Sequence, residues 1–376
     1  MKIGILTQPL HKNYGGILQN YALQKVLKDM GHEVWTIDRD FNYSSYQKYA
    51  SFIKRVLLKS FNRNIAIQVL PTKKQEEIIL QHIRSFIKNN IQTTKKTIST
   101  EQLTQLHQKY AFDAYIVGSD QVWRAPYSPC LTNYFLDFIE YESRVKKIAY
   151  AASFGVDEWE FTEEQTKECA RLAKQFHAIS LREDSGVELC RKYFGVDAVH
   201  LLDPTLLLSK EDYLLLMNNK KTTSNKGDLF VYILDKDEKK NNIINEIAKH
   251  KNLIPFELLP KQFLIETNKY EIEKCIFPPI EQWLRAFVDA EFIITDSFHG
   301  TIFSIIFEKP FIVLGNKKRG LNRFISLLRI FSLKDRLIDE DKIDYSIIEQ
   351  QINYSIVHNI LNKKREESFS FLKKFL

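Results

Sequence analysis

The sequence predicts an α/β protein of two Rossmann-like, doubly wound domains that face a cleft, with a C-terminal helix that crosses back to the first domain. First, short apolar runs of strand length alternate with stretches whose apolar residues recur at helical spacing. Second, polar residues follow the predicted strands at their C-terminal ends, as they do in parallel sheets that bind ligands there. Third, a length of 376 residues exceeds that of an ordinary single domain and suits two.

Changes in this pattern predict the domain boundaries. The first domain is expected at residues 1–217, the second at 218–355 and a final helix at 356–376. A helical insertion in the first domain is expected at about 41–110. The polar segment 218–227 has no apolar period and is the predicted linker. Two such halves and a remaining helix indicate a GT-B-like architecture, whose active site lies between the strand ends of both domains.

The first half alternates strands and helices from its first residues. Apolar runs predict strands at residues 2–6, 34–37, 114–117, 147–152, 178–181 and 199–202. Apolar side chains at helical spacing predict helices at residues 17–30, 75–89, 162–176, 185–194 and 210–217. Because the chain opens with a strand, no signal peptide is expected at its N-terminus.

The second half repeats this alternation. Strands are predicted at residues 229–234, 254–258, 292–295 and 311–314. Helices are predicted at residues 239–250, 280–288, 301–307 and 321–328, and the tail at 346–376 is expected to be mostly helical. The apolar side chains of the tail can pack on the core or lie on a membrane, and core packing is the favoured interpretation.

Charge and cysteine usage limit the classes of function. Lys and Arg outnumber Asp and Glu by 54 to 47, a formal net charge of +7 that is modest for this length. It fits a solvated surface, or attraction to an anionic substrate or membrane face. No compact basic and aromatic array typical of nucleic-acid binding is present. The four cysteines are far apart, which predicts neither a zinc site nor a disulfide framework and fits a cytoplasmic protein.

Membrane attachment by a transmembrane helix is not expected, because no apolar run approaches the roughly 18 residues that a span requires. The basic insertion and the amphipathic tail permit peripheral contact with the inner face of the cell membrane. The alternative is that both present ordinary solvated surfaces.

The segment from Asp296 to Thr301 is the strongest candidate site. Its polar residues lie between a predicted strand and a predicted helix, where unpaired N–H groups and the positive end of the helix dipole suit an anion. His299 can exchange protons near neutral pH, which suits a role in proton transfer. The alternative is a histidine that caps the helix or fills the core. Asp296 and His299 alone are too few ligands to predict a metal site.

Two further strand ends are candidates for sugar binding. Asn13 and Tyr14 stand before two glycines in a tight turn, which serves either the backbone or a ligand. Asp120, Gln121 and Trp123 follow the strand predicted at 114–117, and this mixture is typical of a sugar-binding rim. A buried Trp with a capping Asp is the equally weighted alternative.

Four motifs together resemble the polysaccharide pyruvyl transferase family. They are NYGGILQ at residues 13–19, GSDQVW at 118–123, ISLRED at 179–184 with Asp203-Pro204 following, and ITDSFHGT at 294–301. Their order and separation also match the family over about residues 1–330. The resemblance implies a GT-B-like fold, no obligatory metal or cofactor, and a bacterial enzyme of surface polysaccharide biosynthesis, such as exopolysaccharide or capsule formation.

The implied reaction moves the enolpyruvyl unit of phosphoenolpyruvate onto a sugar, where it forms a pyruvate ketal across two hydroxyls. The acceptor would be a polysaccharide or a lipid-linked oligosaccharide. His299 falls on the family's catalytic histidine, and Arg182 falls on an arginine expected near the donor's phosphate or carboxylate. Family members carry an arginine two residues before the histidine, and Ser297 stands there in this chain. Residues 182, 317, 318 and 323 are basic and are candidates to supply the missing cation.

The expected donor side and acceptor side therefore lie in different domains. The expected donor-binding residues are Arg182, Ser297, Gly300, Thr301 and Arg323, with the amides of Gly300 and Thr301 holding the anion. The expected acceptor-binding residues are Asn13, Tyr14, Asp120, Gln121 and Trp123. Two alternatives stay open at this point: a GT-B glycosyltransferase that uses a nucleotide sugar, and a non-catalytic glycan-binding relative.

Overall fold

The computed structural model describes residues 1–42, 72–140, 144–218, 225–262, 271–315, 320–340 and 343–376. Its strands form two sheets whose pairings are all parallel. The first sheet contains β1 (Lys2–Leu6), β2 (Glu33–Thr36), β3 (Ala114–Val117), β4 (Lys146–Ala152), β5 (Ala178–Leu181) and β6 (Val199–His200). The second contains β7 (Leu229–Tyr232), β8 (Pro255–Glu257), β9 (Phe292–Thr295), β10 (Phe311–Leu314) and β11 (Leu337–Ile338).

Helices connect most of these strands. Those of the first half are α1 (Tyr14–Asp29), α2 (Lys73–Ile79), α3 (Gln81–Asn90), α4 (Thr100–Tyr110), α5 (Glu163–Ala173), α6 (Asp184–Leu189) and α7 (Lys210–Asn218). Those of the second half are α8 (Glu238–Lys251), α9 (Ile280–Asp289), α10 (Phe298–Ile306), α11 (Asn322–Ile330), α12 (Tyr345–Glu349) and α13 (Tyr354–Phe375). The predicted two-domain α/β fold is therefore confirmed.

The two sheets share a strand order over five strands. The first runs β2-β1-β3-β4-β5-β6. The second, read from its other edge, runs β8-β7-β9-β10-β11, which matches the first five positions of the first sheet. In each sheet the direction of winding reverses between two adjacent strands, at β1 and β3 in the first and at β7 and β9 in the second. Open parallel sheets bind ligands beyond the strand ends at this reversal. The topology therefore predicts a ligand site beyond the strand ends at Leu6, Val117 and Thr295.

A single apolar layer fills the space between the two sheets. It contains Ile5 and Ile116 from the first sheet together with Phe230 and Ile293 from the second, all fully buried. Alternate residues of the strands point the other way and form separate outer cores, one for each sheet. This alternation is the expected pattern for sheets with both faces covered. The two domains therefore share one apolar cluster.

The last helix, α13, joins the two domains. At its start, the Tyr354 hydroxyl donates to the carbonyl of Lys309 at 2.6 Å in the second domain. Farther along, Arg365 donates to the carbonyls of Leu206 and Leu208 in the first domain at 2.6 and 2.5 Å. The predicted helix that crosses back is therefore confirmed, and its apolar face packs on the core. Among the described residues, no helix is long and apolar enough to span a membrane.

The structure differs from the sequence predictions mainly at helix starts and in the insertion. α1 and α10 begin at Tyr14 and Phe298, three residues earlier than predicted, because the glycines that suggest turns lie inside their first turns. The single helix predicted at 75–89 is two, and α4 and β11 were not predicted. Residues 43–71 of the predicted insertion and 219–224 of the predicted linker lie outside the described residues. The boundary at residues 217 and 218 stays a prediction.

Candidate active site at the domain boundary

The N-terminus of α10 places polar side chains of the second domain at its boundary with the first domain. Ser297 is its N-cap, and the Ser297 hydroxyl accepts a hydrogen bond from the Gly300 amide at 3.3 Å. The Thr295 hydroxyl accepts from the Ser297 amide at 3.0 Å. These bonds fix the turn between β9 and α10. His299 consequently lies in the first turn of the helix and faces the first domain.

The imidazole of His299 lies against the backbone of Gly15 in α1. A Cβ atom added at Gly15 would lie 2.2 Å from both Cγ and Nδ1 of His299. Only 6% of the surface of His299 is exposed. The two helix N-termini, one from each domain, therefore meet at this imidazole.

Asp203 lies on the other side of the histidine ring. Its Oδ2 atom is 3.5 Å from Nε2 of His299 and accepts hydrogen bonds from Arg182 at 3.0 Å and Ser119 at 2.8 Å. Its Oδ1 atom accepts from the amide and hydroxyl of Thr205 at 3.0 and 2.7 Å. Burial by itself raises the pKa of the Asp203 carboxyl, but His299, Arg182 and Thr205 together lower that pKa well below its usual range. Asp203 is therefore an ionised carboxylate that bonds to Arg182 and lies within ion-pair distance of His299.

Arg182 is almost completely buried and only partly satisfied. One Nη atom donates to Asp203, and the guanidinium carbon lies 4.4 Å from the ring centroid of Phe298. Among the described residues, its Nε and Nη2 atoms have no hydrogen-bond partner. Nη2 lies 3.8 Å from Oδ1 of Asp120. Because a buried, unpaired N–H of a charged group is costly, these two donors indicate a site for an acceptor from outside the chain.

A second cation lies near the same aromatic ring. The guanidinium carbon of Arg323 is 5.4 Å from the ring centroid of Phe298. Cations at this range from an aromatic face are attracted by its electrons. Two arginines therefore contact the ring of Phe298, the residue that follows Ser297. Lys317 and Lys318 lie outside the described residues.

Asp120 and Asn13 form the rim of this cluster. Asn13, which is exposed, donates from Nδ2 to Oδ2 of Asp120 at 3.2 Å. Asp120 has a φ of +72°, a left-handed conformation that is rare for residues other than glycine. Gln121 lies beside it, and its amide donates to Oδ1 of Asp120 at 2.9 Å. Such backbone strain occurs most often at functional sites.

Tyr14 and Trp123 are placed differently from the other predicted residues. Tyr14 is buried, stacks near Trp283 and donates its hydroxyl to the carbonyl of Pro278 at 2.7 Å. Trp123 is fully buried and donates from Nε1 to the carbonyl of Tyr134 at 2.9 Å. Neither side chain faces the cluster around His299, and their contact with an acceptor stays a prediction.

Two predicted anion donors are already occupied. The Gly300 amide donates to the hydroxyl of Ser297, and the Thr301 amide donates to the carbonyl of Ser297 at 2.9 Å. In this structure neither amide is available to a ligand, because the helix caps itself. Within the described ranges, no three His, Cys, Asp or Glu side chains are grouped in a way that could hold a metal ion.

Sequence reasoning missed three contributors to the cluster. Asp203 was noted only as part of a motif, and Ser119 and Gly15 received no role of their own. A carboxylate directly after a strand end is a signal that could have identified Asp203. The contact of Gly15 with His299 joins residues 284 positions apart, and no local pattern reveals it.

Comparisons with known proteins agree with the motifs. The family model described as polysaccharide pyruvyl transferase matches residues 13–318, a range that includes all four motifs. No curated protein sequence shows a significant match.

Solved structures that resemble this chain share little sequence with it. UDP-GlcNAc 2-epimerase of Methanocaldococcus jannaschii, in complex with UDP-GlcNAc and UDP, is 11% identical with a TM-score of 0.48, over 96% of this chain and 99% of that one. The Neisseria meningitidis UDP-GlcNAc 2-epimerase bound to UDP-GlcNAc is 10% identical with a TM-score of 0.45, over 96% and 100%. Spinosyn forosaminyltransferase SpnP is 12% identical with a TM-score of 0.41, over 97% and 95%. At these values they carry no argument about activity.

Proposed function

Because the chain belongs to the polysaccharide pyruvyl transferase family, we propose that it transfers the enolpyruvyl unit of phosphoenolpyruvate to a sugar and forms a pyruvate ketal. The acceptor is a polysaccharide or a lipid-linked oligosaccharide of surface polysaccharide biosynthesis. In the lipid-linked case the protein would work in the cytoplasm at the inner face of the membrane.

One observation carries the proposal: a titratable imidazole and an incompletely bonded arginine share one buried carboxylate between the two domains. His299 and Arg182 both contact Oδ2 of Asp203, at 3.5 and 3.0 Å. Proton transfer and anion binding are the two tasks that this chemistry requires, and here their candidates are adjacent.

The reaction balances without an oxidant or reductant. A proton adds to the methylene carbon of phosphoenolpyruvate, so that C2 becomes electrophilic and accepts one sugar hydroxyl oxygen. The C2–O bond to phosphate then breaks, and the second hydroxyl oxygen bonds to C2. The two sugar hydroxyls release two protons. One replaces the proton that the methylene carbon took up, and the other leaves with phosphate. The products are the ketal and inorganic phosphate.

Each role follows from position. Asp203 faces Nε2 of His299 at 3.5 Å and can stabilise the protonated imidazole, while Nδ1 lies against the backbone of Gly15. His299 is therefore the candidate for proton transfer. Arg182 offers Nε and Nη2 to the donor's anionic groups, and Arg323 adds positive charge nearby. Asp120 and Asn13, at the rim, remain the candidates to contact the acceptor.

The test measures inorganic phosphate released from phosphoenolpyruvate in the presence of free or lipid-linked galactosides, mannosides and glucosides. We expect acceptor-dependent release by the wild type and a loss of about 10²- to 10⁴-fold in His299→Ala. His250→Ala is the matched control, because His250 is partly exposed and pairs with Glu349 away from the boundary. Normal turnover by folded His299→Ala would refute the assignment of His299. Binding of a nucleotide sugar without phosphate release would favour a glycosyltransferase, and sugar binding alone a non-catalytic protein.

A further inference from the structure

The first turn of α1 contains amides of buried residues that no group in the described part of the chain satisfies. Tyr14, Gly15 and Gly16 are buried, and the first backbone hydrogen bond of the helix runs from the Ile17 amide to the Asn13 carbonyl at 3.0 Å. Asn13 is the N-cap, but its side chain makes no capping bond. Within the described residues, the amides of Tyr14, Gly15 and Gly16 therefore have no acceptor. Buried amides without a partner are rare in folded proteins, so an acceptor from outside the chain is expected.

Arg182 provides a second, independent observation at the same corner. Its side chain is 1% exposed, and its Nε and Nη2 atoms lack partners among the described residues. Nη2 lies 3.8 Å from Asp120, whose other oxygen accepts from Asn13 at 3.2 Å. The unpaired edge of the guanidinium is thus directed towards the N-cap of α1.

The sequence of the first turn suits close approach by an anion. No acidic residue lies in this turn, and Gly15 and Gly16 carry no side chain to cover the amides. A Cβ atom would lie 2.2 Å from Nδ1 of His299 at Gly15 and 2.9 Å from Oδ2 of Asp120 at Gly16. Glycine is therefore needed where backbone and catalytic side chains meet. By contrast, Ser297 already caps α10.

We propose that the N-terminus of α1 binds the phosphate group of the phosphoenolpyruvate donor, with Arg182 and His299 beside it. This site rests on the proposed function and deepens it. The departing phosphate would be held by the first domain and not by the amides of Gly300 and Thr301. Positive helix ends with exposed amides are the usual protein sites for phosphate.

Two carboxylates border this site, and their bonds explain how it tolerates an anion. Asp203 accepts from Arg182, Ser119 and Thr205. Asp120 accepts from Asn13 and from the amide of Gln121. Both therefore orient donors of the site, and Arg182 lies between them as a counter-charge.

The experiment compares two substitutions, each of which replaces an N-cap asparagine with a carboxylate. Asn13→Asp should cap α1 with its own charge, retain the melting temperature and weaken phosphate binding by at least about 10-fold, because like charges at this range repel. Asn353→Asp is the matched variant, because Asn353 is the exposed N-cap of α13 and its side chain accepts from the Ile356 amide. It should change phosphate affinity by less than about 3-fold, because exposed charges are screened by salt. Calorimetry with inorganic phosphate, phosphoenolpyruvate and pyruvate measures the affinities, and pyruvate should bind weakly because it lacks phosphate.

Gly16→Ala is a second route to the same result if Asn13→Asp does not fold. Its added methyl group would contact only the ends of two side chains, and we expect a similar loss of phosphate affinity. The inference is overturned if the wild type binds neither phosphate nor phosphoenolpyruvate, or if Asn13→Asp weakens phosphate binding no more than Asn353→Asp does. Phosphate binding that depends on Asn13, without turnover, would refute only the transfer reaction. Turnover with an unchanged donor KM in Asn13→Asp would refute only this site.

Discussion

The imidazole of His299 lies so close to the backbone of Gly15 that no other residue fits at position 15 without moving the ring. A Cβ atom there would lie 2.2 Å from Nδ1 and 2.5 Å from Cβ of His299. Because the two residues belong to different domains, this contact fixes the alignment of both helix N-termini. The glycine in the first domain thus determines where the histidine of the second domain stands.

We expect Gly15→Ala to lower turnover strongly and to destabilise the fold by about 1–3 kcal/mol, because the methyl group must displace the imidazole. Urea unfolding measures the free energy, and phosphate release measures turnover. The control is the same substitution in a His299→Gly background, where both the ring and the Cβ atom at position 299 are absent and the cost in stability should largely disappear. An equal cost in both backgrounds would show that the histidine is not responsible.

Asp203→Asn tests whether the negative charge of Asp203 is needed for stability and turnover, because asparagine has nearly the same shape. Asparagine retains an acceptor but leaves Arg182 without its buried counter-charge, so we expect a loss on the order of 3–5 kcal/mol in stability and about 10²-fold or more in kcat. The effect on stability depends on pH. Since the pKa of Asp203 is lowered in the folded protein, its stabilisation is present above its ordinary value of 3.8 and decreases as the pH falls below that value.

The measurement for Asp203 is the free energy of unfolding of both proteins between pH 3 and 7. The difference between wild type and Asp203→Asn should be constant near neutral pH and shrink towards acid pH. A difference that grows as the pH falls would contradict an ionised Asp203 in the folded state.

Glu183→Gln should show the opposite pH dependence. Burial raises the pKa of Glu183, although Arg182 and the amides of Phe154 and Gly155 oppose the rise. Since the folded state holds this proton more tightly than the unfolded chain, stability decreases as the pH rises above the ordinary value of 4.5. Glutamine keeps an oxygen acceptor for the Phe154 amide, which bonds at 2.8 Å, and cannot ionise. Its stability relative to wild type should therefore increase between pH 4 and 7, and a constant difference would refute the prediction.

Arg365→Met tests whether α13 supports the active site from a distance. Arg365 bonds to the carbonyls of Leu206 and Leu208, next to the short helix that Asp203 caps. Losing both charge-assisted bonds should cost about 1.5–3 kcal/mol. It should also lower kcat with little change in donor KM, because Asp203 loses support. Lys363→Met is the matched control, since Lys363 is exposed on the same helix. Equal losses of stability and kcat in both variants would show that Arg365 has no specific role in supporting Asp203.

Periodicity was sufficient to predict most of the sheet framework. The strands at Lys2–Leu6, Ala114–Val117, Ala178–Leu181, Phe292–Thr295 and Phe311–Leu314 have the predicted bounds. They are fully or largely buried, so an unbroken apolar run marks both of their ends. Helix starts were predicted less well, because glycine at Gly15, Gly16 and Gly300 is a local signal for a turn. Tertiary packing outweighs that signal, since only glycine fits beside His299 and Thr295.

The strand ends that form the candidate site could be predicted from the sequence, but the hydrogen bonds between their residues could not. The motifs identify Asp120, Arg182 and His299, and the structure brings these three together around Asp203. Which amides are free depends on capping geometry, and the occupied amide of Gly300 could not be read from the sequence. Tyr14 and Trp123 illustrate the same limit, because an aromatic residue at a strand end suits a core as well as a sugar.

The apolar layer shared by the two sheets restricts how substrates can reach His299. Swinging the domains apart would expose side chains such as Tyr14, Trp283 and Phe303 to water. Each Å² of such surface costs about 25 cal/mol, so a wide opening is unfavourable. We therefore expect entry to proceed through local displacement at the rim near Asn13, with the interior remaining dry. If the acceptor is a polymer, as proposed, such an entry would admit one sugar at a time while the rest of the glycan stays in solvent.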